Sequence, residues 1–434
     1  MNDASLRHQL PHGVADLFGE QAAAKVWAEG ALQETFRRWG YQRIILPTFE
    51  FYDSLATEAS TYLQEEMYRL FDREGRVLAL RPDMTVPTAR VVGTRLYDQP
   101  LPMRLFYVGN VFRYEEPQAG RRREFTQAGI ELVGAGTAEA DAEVVQVAIA
   151  ALEALGVRRF QINLGQVAFT KAMLSEANLT NGELYRLEQV IGRRNDVELR
   201  ATLADLGIGG AIARAIETLP RLTGDENILP TARRLTDNRA AQEAIDRLAQ
   251  VYALLCAAGV GEHVRLDLGE VRSMAYYTGI TFQGYVAGLG FHVCSGGRYD
   301  QLISNFGPDI PAVGFALGVE RAMLVAQPAV DLSLDLLLGA CGHSGHRAIA
   351  QCQALAAEAR AAGLAVEADI LGLDEDALVE RGRQRRARHV ILCDDAGTGA
   401  ARDANAARYT LIDAGGRRTL AREALEKEMA TWSR

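Results

Sequence analysis

The sequence predicts an α+β protein that carries a helical insertion and ends in a small α/β unit. Three observations lead there. The stretch from Phe112 to Gln127 reads as strand, turn, strand, with Pro117 and Gly120 in the turn. From about Phe169 to Glu262 the apolar spacing is helical, at Leu187, Val190 and Ile191 and later at Ile245, Leu248, Tyr252 and Leu255. From about Ser333, strand-like runs at Leu334–Ala340, Val366–Ile370, Val390–Cys393 and Tyr409–Ile412 are interleaved with helical patterns at Arg347–Ala361 and Glu375–Arg385.

Taken in order, the chain opens with a helix over about Gln21–Trp39. Its apolar positions are Ala24, Ala28, Leu32, Phe36 and Trp39, and Gly40 ends it. Strand-rich segments follow, then a helix near Glu139–Leu155 and a strand within Gly156–Leu164, where Phe160 to Leu164 alternate. Strands resume at Val264–Leu268. The expected division is a core over residues 1–325 with its insertion at about 169–262, a linker at 326–332 and a unit at 333–434.

Composition narrows the class without deciding it. At about 150 residues per domain, 434 residues hold two to four. Hydrophobic residues at 48% and charged residues at 24% fit a soluble globular chain. A net charge of −9 gives no global basic field to attract nucleic acid, although a local basic groove stays open. No segment reaches membrane-spanning length, and the start, with Asp3 and Arg7, has no apolar run of signal-peptide type. Five scattered cysteines, an odd number, read as reduced core thiols, so a cytoplasmic location is expected.

Several clusters invite chemistry. Arg113 and the run Arg121–Arg123 would sit near one end of the hairpin, where guanidinium forks grip phosphate or carboxylate. Val390 to Gly399, with Asp394, Asp395 and a Gly/Thr loop, is similar to a phosphoribosyl-pyrophosphate loop, but its spacing is too short. Cys341, His343 and His346 are metal-ligand types, but they are three where structural zinc takes four, so a capped strand end is the better reading. No metal and no cofactor are expected. The basic run Arg381–Arg388 reads as a solvated helix face.

The motifs together resemble the class II aminoacyl-tRNA synthetase core, in its histidyl-tRNA synthetase branch. Tyr41 to Glu50 resembles motif 1, Arg104 to Glu131 motif 2, and Gly314 to Arg321 motif 3. Leu80-Arg81-Pro82-Asp83-Met84-Thr85 stands in the place of the branch's Leu-Arg-Pro-Glu-Gly-Thr loop. Arg272 to Gly279 is similar to its Arg-Gly-Leu-Asp-Tyr-Tyr pocket, and Ser295 to Asp300 to the glycine-rich partner. Six elements in the family's order span roughly residues 10–325. The resemblance implies a mostly antiparallel sheet flanked by helices, a dimer through the motif 1 region, and a C-terminal unit placed like an anticodon-binding domain.

It also implies a histidine pocket of Asp83, Thr85, Gln127, Glu131, Arg272, Tyr276 and Tyr277, with Arg113 and Arg321 at nucleotide-phosphate positions. Gln127 and Glu131 would share a strand face and receive the α-amino group of free histidine; Asp83 and Thr85 would share a face too and complete that cage, or else form a loop end. Departures accompany the matches: Asp83-Met84 for Glu-Gly, Ser273-Met274-Ala275 for Gly-Leu-Asp, and Gln283 for Glu. They are closer to the synthetase paralogues that serve as regulatory subunits of ATP phosphoribosyltransferase. That likeness implies no catalytic residues, a short-form catalytic subunit as partner within a hetro-oligomer, histidine as ligand, and no tRNA charging. A divergent histidyl-tRNA synthetase is the rival.

Overall fold

Helix α1 (Gly19–Arg38) buries Ala28, Leu32 and Phe36 at four-residue intervals, which gives a narrow stripe against the sheet. Gly40, at φ +81°, occupies the left-handed region just beyond it. This is a computed structural model, and the structure describes residues 8–57, 64–115, 122–270, 277–326, 328, 330–340, 346–394 and 408–432. The chain separates into two compact units, Met1–Ala329 and Val330–Arg434.

In the first unit α1 is followed by β1 (Gln42–Arg43), β2 (Phe49–Phe51), α2 (Tyr52–Leu55), β3 (Arg69–Phe71), β4 (Val77–Leu80) and α3 (Thr85–Val91). The hairpin β5 (Met103–Phe112) and β6 (Glu124–Val133), helix α4 (Ala138–Ala154) and β7 (Phe160–Gln166) come next. Helices α5 (Val167–Ser175), α6 (Asn181–Arg193), α7 (Asp196–Asp205) and α8 (Gly210–Thr218) precede a short β8 (Thr223–Gly224). Then come α9 (Leu229–Arg233), α10 (Arg239–Ala257), β9 (Val264–Asp267), β10 (Ile280–Val286), β11 (His292–Arg298), β12 (Ala312–Gly318) and α11 (Val319–Met323).

Nine of these strands form one sheet in the order β1-β5-β6-β12-β11-β10-β7-β9-β8. Only the β1–β5 and β7–β9 pairs are parallel. Alternation divides its faces. Ala128, Ile130 and Leu132 of β6 join Val313, Phe315 and Leu317 of β12 in the main core, under α1 and α4. Helix α4 is buried nearly all round because the sheet lies on one side and α1 and α10 on the other. Thr137 caps it by accepting from Ala140 N. The expected strand within 156–164 begins only at Phe160, since Gly156, at φ +76°, is still leaving α4.

The opposite face of β6 carries Phe125, Gln127, Gly129, Glu131 and Val133, and that face bears the cleft described below. A separate antiparallel sheet, β2-β4-β3, stands beside it. The second unit is a five-stranded sheet ordered β14-β13-β15-β16-β17, with β13 (Leu336–Gly339), β14 (Val366–Ala368), β15 (His389–Asp394), β16 (Arg408–Asp413) and β17 (Gly416–Ala421). Helices α12 (His346–Ala361), α13 (Glu375–Gln384) and α14 (Arg422–Trp432) complete it. Cys352 and Cys393 lie in its core and Cys294 in the core of the first unit, whereas Cys256 is exposed.

Candidate amino-acid cleft

The cleft lies where the central strands carry almost no side chains. Gly314, Ala316 and Gly318 of β12 and Ser295 of β11 line its floor, and Gln127 of β6 stands beside them. The hollow is small, with a cavity volume of about 80 Å³, and opens to solvent. Asp83, Thr85, Arg113, Tyr277 and Arg321 rise around that floor. Segments distant in sequence therefore converge on one hollow.

Glu131 takes a different place. It is buried below the floor and is not part of the lining. Its carboxyl oxygens accept from the hydroxyls of Tyr107, at 3.1 Å, and Tyr299. Glu131, expected to receive a ligand's ammonium, has its oxygens engaged by internal hydroxyls, Thr85 among them. Burial pushes its carboxyl up to about 8, against the pull of those bonds. The room for it comes from Gly314, where a Cβ would lie 1.7 Å from Glu131 Oε2.

Asp83 and Thr85 do not share a strand face. Pro82 precedes a turn into α3, and Asp83 accepts from the backbone N–H of Val86, at 3.2 Å, and of Thr85. The carboxylate thus binds the exposed donors that open a helix. Burial raises its pKa, and the neighbouring Arg113 guanidinium opposes that rise. Gln127 Oε1 accepts from Met84 N at 3.1 Å, which joins floor to wall. Met84 itself packs below against Tyr107 and Val111.

The cations are held rather than free. Arg113 Nε donates to Pro82 O at 2.8 Å, and its guanidinium lies 5.3 Å from the Phe125 ring centre. Arg321 lies 5.6 Å from the Phe291 ring centre. Arg81, unremarked in the sequence beyond its motif, donates to the carbonyls of Asn110, Leu46 and Pro47 and so pins β5 to the motif 1 segment. Behind the cleft, buried Arg298 pairs with Asp141, which also accepts from Arg247 of α10. Tyr107, Tyr299 and these pairing residues had no role assigned from sequence. A tyrosine two residues past a Gly-Gly pair was the one visible signal.

Arg272 and Tyr276 lie outside the described residues, as do Arg121, Cys341, His343 and the Asp395–Gly399 loop. The Arg123 guanidinium lies over the Tyr114 ring at 4.2 Å, and the residue's main-chain N–H donates to Gly13 O. Among the described residues no His, Cys, Asp and Glu cluster could hold a metal, and no helix is long and apolar enough to cross a membrane. The basic run at the end of α13 and just beyond it is ion-paired: Arg381 and Arg385 with Glu367, and Arg388 with Asp331 and Asp335.

A family model described as histidyl-tRNA synthetase matches residues 13–322. An ATP phosphoribosyltransferase regulatory subunit of Thermoanaerobacter pseudethanolicus is 43% identical over 318 residues, 73% of this chain and 83% of that one. The like-named protein of Geobacter metallireducens is 37% identical over 400 residues, 91% of each chain. A crystal structure from Bacillus halodurans, described as an ATP phosphoribosyltransferase regulatory subunit/histidyl-tRNA synthetase, superposes with a TM-score of 0.80 at 32% identity. It covers 90% of this chain and 99% of that one.

Proposed function

The chain belongs to the histidyl-tRNA synthetase family, among its ATP phosphoribosyltransferase regulatory subunits, and from that premise we propose that it regulates such a transferase without catalysing a reaction itself. It would join a short-form catalytic chain at the first step of histidine biosynthesis and carry feedback by histidine. The observation that carries this reading is the likeness to regulatory subunits over 73% to 91% of the chain.

The cleft supports histidine as the ligand. Asp83 and Gln127 offer oxygens to an α-ammonium group, Arg113 and Arg321 offer charge to a carboxylate, and Tyr277 offers a ring to an imidazole. Feedback requires histidine to bind one assembly state more tightly than the other, since equal affinity for both shifts nothing. The coupling is then a free energy shared by the cleft and the subunit interface. A dimer through the motif 1 region would form the core of the complex.

A divergent synthetase remains the second reading because Arg113 and Arg321 line the same cleft. Against it stand the departures at Asp83 and Met84 from the branch's Glu-Gly pair, with Met84 packed into the core. The test is transferase activity of the catalytic chain with and without this one, across histidine concentrations, beside histidine-dependent ATP–pyrophosphate exchange. Regulation requires activity and histidine response to depend on this chain, with no exchange. Identical transferase behaviour in both mixtures would overturn the proposal, and robust exchange would favour the synthetase.

A further inference from the structure

Lys171 belongs to none of the motifs and stands on α5, behind the cleft wall. Its stem is exposed, but its Nζ turns inward and donates to the main-chain carbonyl of Tyr277 at 2.9 Å. Tyr277 is the aromatic wall of the cleft. Its ring is seated against Gly297, where a Cβ would meet Tyr277 Cε1 at 2.9 Å, so ring and strand are in close register.

The residues after it are tied from two sides. Val167 N, at the start of α5, donates to Gly279 O at 3.0 Å. On the other side Thr278 N donates to Arg298 O at 2.8 Å. Arg298 is fixed by Asp141, and Asp141 in turn by Arg247 of α10. Helices from the segment between β7 and β9 therefore reach the wall twice, directly through α5 and indirectly through α10. Within that set, Lys171 is the residue whose charged group bonds directly to the main chain of the ring-bearing residue.

We propose that Lys171 is a positioning residue that sets the cleft's affinity for its amino-acid ligand by fixing the main chain at Tyr277. The proposal rests on histidine being that ligand. A charge-assisted bond to a carbonyl is roughly twice as strong as a neutral one. A shift of the carbonyl is carried to the far end of the tyrosine ring, where small displacements weaken contact with a ligand. The helical segment thereby acts on the site without touching the ligand.

The experiment is calorimetric titration of the full chain with histidine, for the wild type, K171M and K171R, with amide hydrogen exchange at residues 278–279. Because the stem is exposed, neither substitution opens a core cavity. K171M is expected to bind histidine about tenfold more weakly, the loss of one charge-assisted bond. K171R is expected to recover most of that loss, and exchange at Thr278 is expected to quicken in K171M while β6 amides stay protected. Wild-type affinity in K171M, or equal weakening in K171M and K171R, would overturn the proposal. No binding by the wild type would instead remove histidine as the ligand, and Lys171's role would fall with it.

Discussion

Glu131→Gln exposes what the buried carboxyl contributes. The side chain is 1% exposed and sits among the hydroxyls of Tyr107, Tyr299 and Thr85. Burial raises its pKa from 4.5 to about 8, with a smaller push from Asp83. In the folded chain it therefore keeps its proton at pH 7, whereas in the unfolded chain it ionises above pH 4.5. Its stabilising contribution is full below that value and is lost as the pH rises through about 8. At about 1.4 kcal/mol per pH unit the difference is bounded near 5 kcal/mol. Relaxation of the surroundings lowers that ceiling. Glutamine has nearly the same shape, cannot ionise, and keeps both an acceptor and a donor for the hydroxyls. The opening free energy of the β6 amides, from hydrogen exchange at matched pH, reports the first unit alone. The variant is expected to gain on the wild type steadily from pH 5 to pH 8. A gap that stays constant over that range would refute a carboxyl protonated at neutral pH.

Three further substitutions probe the same framework. Gly314→Ala would place a Cβ 2.5 Å from Ile130 O as well as against Glu131, so we expect a loss of about 1–3 kcal/mol and a lower melting midpoint. Arg298→Met leaves the fully buried Asp141 carboxylate with Arg247 alone, and urea unfolding should show a cost of about 3–5 kcal/mol. A cost under about 1 kcal/mol there would mean that Arg247 suffices. Arg385→Ala removes an exposed partner of Glu367, which keeps Arg381, so stability should change by less than about 1 kcal/mol.

Elements with one clear stripe were legible in the sequence. Helix α1 was, because Ala28, Leu32 and Phe36 face one way, and so was the β5–β6 hairpin, because apolar runs flank a Pro/Gly turn. Strand β17 was not: five of its six residues lack a buried face, and pairing with β16 and the ion pairs of Arg417 and Arg418 hold it instead. Helix α14 was missed for a related reason, since it buries only Leu425 and Met429 of its eleven residues. Strand pairing and distant ion pairs leave no periodic trace in a local window.

The site shows the same limit in depth rather than in order. Period-two spacing places Gln127 and Glu131 on one face, yet it does not show that Glu131 lies beneath Gly314 between the Tyr107 and Tyr299 hydroxyls while Gln127 lines the cleft. The departures at positions 83 and 84 belong together in this light. A carboxylate one methylene shorter than Glu reaches the N–H groups of Thr85 and Val86, and a side chain in place of Gly's hydrogen fills space beside Tyr107 and Val111. Both contacts tie the loop to the fold. Chemistry at a bound carboxylate needs groups that strengthen their hold as charge develops. Feedback of the proposed kind needs only a site that binds its ligand more tightly in one assembly state than in the other, and a cleft tied to the fold through Asp83, Gln127 and Arg113 suits that use.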